Sequence, residues 1–232
     1  MRDSTKTKDY YEMIYESDTD DILYEEDSLR AMLEKAGKNF ENLPIYYHCI
    51  AIPYFLRFYV SYTMGRGYEE LLPDVEKYIE NESLSWNGKN YEELVTICSV
   101  SILFNIRNEY IENVLKKAEA RLNDSMYGEM FIKLIDPSWE VKACKTYYVE
   151  DKALVEVIKL AQSDKDAAVQ RLKRFVDKQW FKTLKDGIIT NNSKCYRGFW
   201  CIEAAALVKA LGLDDAGLKG CKYYPYNMAH FC

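Results

Sequence analysis

Tyr91-Glu-Glu-Leu-Val-Thr-Ile-Cys-Ser-Val-Ser-Ile102 sets the fold class. From Tyr91, apolar residues recur at i+3, i+4, i+7 and i+11 (Leu94, Val95, Cys98, Ile102), the spacing of one face of an α-helix. The same spacing returns at Val169, Leu172, Val176 and Trp180. It appears again at Trp200, Ala204, Leu207, Val208 and Leu211, where Gly212 stands in the place of a left-handed C-terminal cap. No stretch combines sustained two-residue alternation with hairpin turn signals. The chain therefore reads as all-α, with antiparallel helix pairs packed as a bundle or a short solenoid-like array. Helices are expected near 5–16, 20–37, 41–64, 68–82, 89–106, 108–122, 125–135, 150–161, 164–181, 195–211 and 225–231, with Pro53 kinking the third. The stretch 136–150 marks a seam between an N-terminal region, 1–140, and a C-terminal region, 141–232. It is too short and too apolar for a flexible linker, so the two regions are expected to pack as one body.

Composition narrows the chemistry. Over 232 residues a sizeable core can form without staples. The seven cysteines (Cys49, Cys98, Cys144, Cys195, Cys201, Cys221, Cys232) lie mostly inside apolar stretches and read as reduced thiols of a cytoplasmic protein. Met1 to Tyr10 lacks the apolar run of a signal peptide, and the apolar segments 43–56 and 94–106 are shorter than the roughly 18 residues a membrane crossing needs. No membrane association is expected. No Cys-x-x-Cys occurs, and His48 and His230 stand at opposite ends of the chain, so neither a metal nor another cofactor is expected. Gly65-Arg-Gly67 follows a helix and lacks the pattern of a phosphate loop, and no Gly-x-Ser-x-Gly elbow is present. Cys201, beside Trp200, reads as a small buried side chain and not as a nucleophile.

Charge is placed unevenly. Residues 1–27 hold ten acids against three bases, net -7, while the remainder sums to +1 and the whole chain to -6. A DNA-binding protein would show a basic stripe. Here the bias is acidic, which argues against direct nucleic-acid binding and for a basic protein partner. Candidate contacts lie in the run Asp18, Asp20, Asp21, Tyr24, Glu25, Glu26 and Asp27, which also suits a solvated helix start. Twenty tyrosines suit helix seams and interfaces alike.

The last forty residues carry a more specific pattern: Tyr196-Arg-Gly-Phe-Trp-Cys-Ile-Glu-Ala-Ala-Ala-Leu-Val-Lys-Ala-Leu-Gly-Leu-Asp-Asp215, followed by Tyr223-Tyr-Pro-Tyr-Asn-Met-Ala-His230. This block resembles the C-terminal signature of the PoNi family of bacterial immunity proteins. The resemblance implies an all-α cytoplasmic protein that binds a cognate PoNe-type DNase toxin and neutralises it stoichiometrically, in interbacterial competition, with no catalysis of its own. Gly198, Trp200, Glu203, Asp214, Asp215, Tyr223, Tyr224 and Pro225 are then motif positions expected to maintain the fold. Asp214 suits an N-cap and Glu203 a buried pair with an Arg or Tyr, or a partner-facing position. Asn227 departs from the aspartate that often follows the turn in the family, and can cap the final helix. Competing readings are a helical adaptor unrelated to toxins and a hydrolase built on Glu203, Asp214 and His230. Self-association is left open by the sequence.

Overall fold

The computed structural model describes residues 1–38, 40–121, 124–182 and 195–231. Among them it shows ten α-helices and no β-strand, so the protein is all-α. The first three helices form an antiparallel stack: α1 (Lys8–Ala36), α2 (Leu43–Met64) and α3 (Tyr68–Ser85), with α2 packed against both neighbours. Thr7 caps α1 by accepting the Tyr10 amide at 3.2 Å. α2 carries Pro44 in its first turn, runs on through Pro53, and ends at Gly65, whose left-handed φ of 103° lets its amide reach the last carbonyls.

Next come α4 (Tyr91–Phe104), α5 (Glu109–Arg121) and α6 (Met126–Ile135). Ten of the fourteen residues of α4 are buried, on every side of the helix. This is why its sequence is nearly continuously apolar and why it sits at the centre. Asn90 caps it through Oδ1, and Ser99 Oγ donates to the Val95 carbonyl at 2.7 Å, so the buried hydroxyl has a partner. An irregular stretch leads to α7 (Val149–Leu160), then α8 (Lys165–Phe175), which passes into a π-helical turn over Val176–Trp180. α9 (Ile202–Leu211) packs on α4, a 3-10 turn covers Ala216–Leu218, and the short α10 (Tyr226–Ala229) lies against α9. One buried cluster runs from Ile22 in α1 to Ala229 in α10.

Three expected helices differ. Helices near 5–16 and 20–37 are one helix, because Ser17, Asp18 and Thr19 include no breaker and Thr19 satisfies its own hydroxyl on the Tyr15 carbonyl at 2.8 Å. The helix expected from 195 begins at Ile202. Gly198 has φ 105°, and a Cβ built there would lie 2.6 Å from Trp200 Nε1 and 2.7 Å from Thr63 Oγ1. Trp200 therefore precedes the helix and its indole N–H donates to Thr63 Oγ1 at 2.8 Å, tying the segment 195–201 to the end of α2. Gly198→Ala is expected to destabilise the fold by at least about 2 kcal/mol, from left-handed backbone strain plus overpacking. Thermal unfolding should record this as a midpoint lowered by about 4–8 °C for a chain of this size.

Candidate functional site

The acidic run of α1 divides between its two sides. Asp18 is 0 % exposed. Arg197 Nε donates to its Oδ2 at 2.9 Å and Arg197 Nη2 donates to Oδ1, a two-pronged pair spanning 179 residues of sequence. Burial pushes the Asp18 carboxyl above its usual range, and the Arg197 hydrogen bonds offset only part of that. Expected as a surface contact, Asp18 is instead an interior pairing residue. Tyr11, Ile14 and Ile22 share its inward side. Glu25 and Glu26 are half-buried, and Glu26 accepts the Tyr54 hydroxyl at 2.7 Å.

Asp20, Asp21, Tyr24 and Asp27 face outward, and Tyr24 is 71 % exposed. Asp27 makes an exposed pair with Arg30 at 2.9 Å. Three more residues complete this side: Met13 (54 % exposed), Glu16 and Leu23 (57 % exposed). Met13, Glu16, Asp20, Leu23, Tyr24 and Asp27 are spaced three and four apart, one stripe of a straight helix. Large apolar side chains interleaved with carboxylates on a solvent face form a ready-made anchor set for a cationic protein surface. Sequence reading missed Met13 and Glu16 because it divided α1 near residue 17, and passed over Leu23 because it followed the charges of the acidic run. Stepping back from Tyr24 in threes and fours along one helix would have found them.

The C-terminal motif residues converge elsewhere. Asp215 is buried and accepts the Tyr224 hydroxyl at 2.7 Å, while His230 Nε2 lies 3.0 Å from its Oδ1. Burial, followed by the Asp215 hydrogen bond, pushes the Tyr224 hydroxyl far above its usual range. Asp214 accepts the Ala216 amide at 3.0 Å and thus turns the chain into the 3-10 helix. Tyr223 stacks on Phe181, with ring centroids 5.5 Å apart, and its carbonyl receives the Cys201 amide. Pro225, not Asn227, occupies the N-cap of α10; Asn227 lies inside that helix. Each of these contacts joins one part of the chain to another.

Among the described residues Glu203 forms no hydrogen bond with an Arg or Tyr, the first of the two roles expected of it. Its Oε2 receives the Cys201 thiol at 3.8 Å, and burial among apolar side chains pushes its carboxyl up to about 7. It lines a cavity of about 230 Å³ with Phe55, Leu56, Tyr59 and Ile202. Burial likewise raises the Cys201 thiol well above its usual range, which opposes thiolate formation. Of the enzyme candidates Glu203, Asp214 and His230, His230 lies against Asp215, and neither Asp214 nor Glu203 shares that contact. Among the described residues no cluster of three or more His, Cys, Asp or Glu could hold a metal ion, and no helix is long and apolar enough to cross a membrane.

Residues 122–228, slightly less than half of the chain, match the family model described as PoNe immunity proteins (PoNi), C-terminal. The match takes in α6 to α9 and most of α10, so the resemblance seen in the signature holds across that region. No curated protein and no solved structure matches the chain.

Asp18→Ala leaves Arg197 without its buried counter-charge and is expected to cost about 3–5 kcal/mol of stability, measured by denaturant unfolding. The sign at Glu203 is the reverse. With its carboxyl raised from 4.5 to about 7, its stabilising contribution is present in acid and lost as pH rises through that interval. Glu203→Gln should therefore unfold near the parent midpoint at pH about 5, and be more stable by about 1–3 kcal/mol at pH about 8.

Proposed function

We propose that this chain, whose C-terminal part carries the PoNi region, is an immunity protein that binds a PoNe-type DNase toxin one to one and blocks its active site or DNA-binding cleft. The outward stripe of α1 supports this reading most directly. A nuclease that holds DNA presents cationic side chains along the phosphate path. Asp20, Asp21 and Asp27, joined by Glu16, match that surface in charge, and Tyr24, Leu23 and Met13 supply apolar anchors between them. Protection then comes from occupancy, with no reaction centre required. In this reading the motif residues Gly198, Trp200, Asp214, Asp215, Tyr223, Tyr224 and Pro225 hold the scaffold and make no contact with the toxin. The regions 1–140 and 141–232 act as one body, since a single buried cluster extends through both. The site of action is the cytoplasm, where the nuclease would reach DNA.

Surface-plasmon measurement of the complex tests the contact face. Reversing Asp20, Asp21 and Asp27 to Lys should slow association by about tenfold at low ionic strength, with the difference shrinking as salt screens the approach. Tyr24→Ala should chiefly speed dissociation and weaken binding by about 2 kcal/mol, as expected of a central aromatic anchor. All four side chains are exposed, so thermal midpoints should stay within about 1 °C of the parent. Unchanged kinetics in every variant would remove α1 as the contact.

A further inference from the structure

We propose that the cavity beside Glu203 is a binding site for an alkyl ammonium or guanidinium cation. Its walls come from separate elements: Phe55, Leu56 and Tyr59 of α2, Thr96 of α4, Ile202 of α9 and Trp180 at the end of the π turn. Phe55 and Tyr59 rings stand 5.2 Å apart. Aromatic faces around one carboxylate are the combination that recognises an organic cation, through ring quadrupole and charge together.

Comparison with the interior acids strengthens the inference. Asp18 has Arg197, Asp74 has Arg57 at 2.6 Å, and Glu82 has His48 and Ser85. Asp151 receives Tyr91 at 3.0 Å and two backbone amides, while Asp215 receives Tyr224 and lies against His230. Glu203, half-buried in the first turn of α9, has its own backbone amide and the long contact to the Cys201 thiol, and among the described residues no cationic side chain pairs with it. A cavity of about 230 Å³ is below the roughly 300–1,000 Å³ of sites that enclose whole metabolites, and so fits one side-chain-sized cation. Arg197 also lines the cavity, but its guanidinium is held by Asp18 and opposes a second cation little.

The site stands independently of the toxin reading; only the source of the cation rests on it. Either a free alkylamine or a Lys or Arg side chain of the toxin would present the same chemistry.

The test titrates the purified full chain with n-butylguanidinium, n-butylammonium and neutral n-pentanol, following the Trp180 indole N–H by NMR. A Cys195→Ser background removes the thiol that also lines the cavity. Tyr59, Tyr127 and Cys201, the other titratable groups near Glu203, are held neutral by burial. The expected result is saturable binding of one or both cations, at least tenfold tighter than n-pentanol and tightening as pH rises from about 6 to about 8 while Glu203 ionises. Glu203→Gln should weaken it at least tenfold, and Thr96→Trp, at a partly exposed position on the wall, should do the same by blocking the cavity. No saturable shift, equal binding of n-pentanol, or full binding by both variants would overturn the proposal. In a second arm, a tenfold weaker toxin complex with Glu203→Gln identifies the toxin as the source. An unchanged complex beside lost amine binding identifies a free amine. Failure of the chain to bind toxin at all, with amine binding intact, refutes the function proposed above and leaves this site standing.

Discussion

The architecture depends on the buried pair between Asp18 and Arg197. It fastens the middle of α1 to the irregular segment that precedes α9, far away in sequence. Around it, Thr63 Oγ1 donates to the Arg197 carbonyl and receives the Trp200 indole N–H, Tyr196 N–H donates to Tyr10, and the Tyr196 hydroxyl donates to Asp3. Desolvating two charges offsets much of their attraction, so the pair specifies arrangement more than it adds stability. One helix face can point inward at a time. Fixing Asp18 with Tyr11, Ile14 and Ile22 on the buried side leaves Met13, Glu16, Asp20, Leu23, Tyr24 and Asp27 on the other. The outward face proposed to bind the toxin is thus a consequence of the interior clasp.

Much of this could be read from local sequence. The apolar run of α4, the capping Asn90, and Gly65 and Gly212 after their helices all encode structure within a few residues, where periodicity and backbone preference operate. The segment 195–201 could not be read that way. Its composition suits a helix, yet Trp200 and Gly198 are committed to Thr63 on α2. Asp18 escaped for the same reason. Within an acidic run nothing local separates the one carboxylate that turns inward from those that remain in water; the difference lies in an arginine 179 positions later.

The C-terminal signature is explained by the same kind of contact. Asp215, Tyr224 and His230 join the 3-10 turn, the tyrosine-proline turn and the end of α10. Gly198 makes room where a side chain would collide with Thr63 and Trp200. These residue types are fixed by geometry inside the molecule, so a family can share them while its members face different partners. Glu203 belongs to the same motif but has no cationic partner among the described residues, which separates it chemically from its neighbours.

The central claim is neutralisation by occupancy, with α1 presenting acids and apolar anchors to a cationic nuclease. Titrating the purified chain into a fixed amount of the toxin's nuclease domain, with DNA cleavage as the readout, tests it most directly. The account predicts that activity falls in proportion to added chain and is abolished at equimolar ratio. Complete protection at a small fraction of an equivalent, or undiminished cleavage in excess chain, would contradict it.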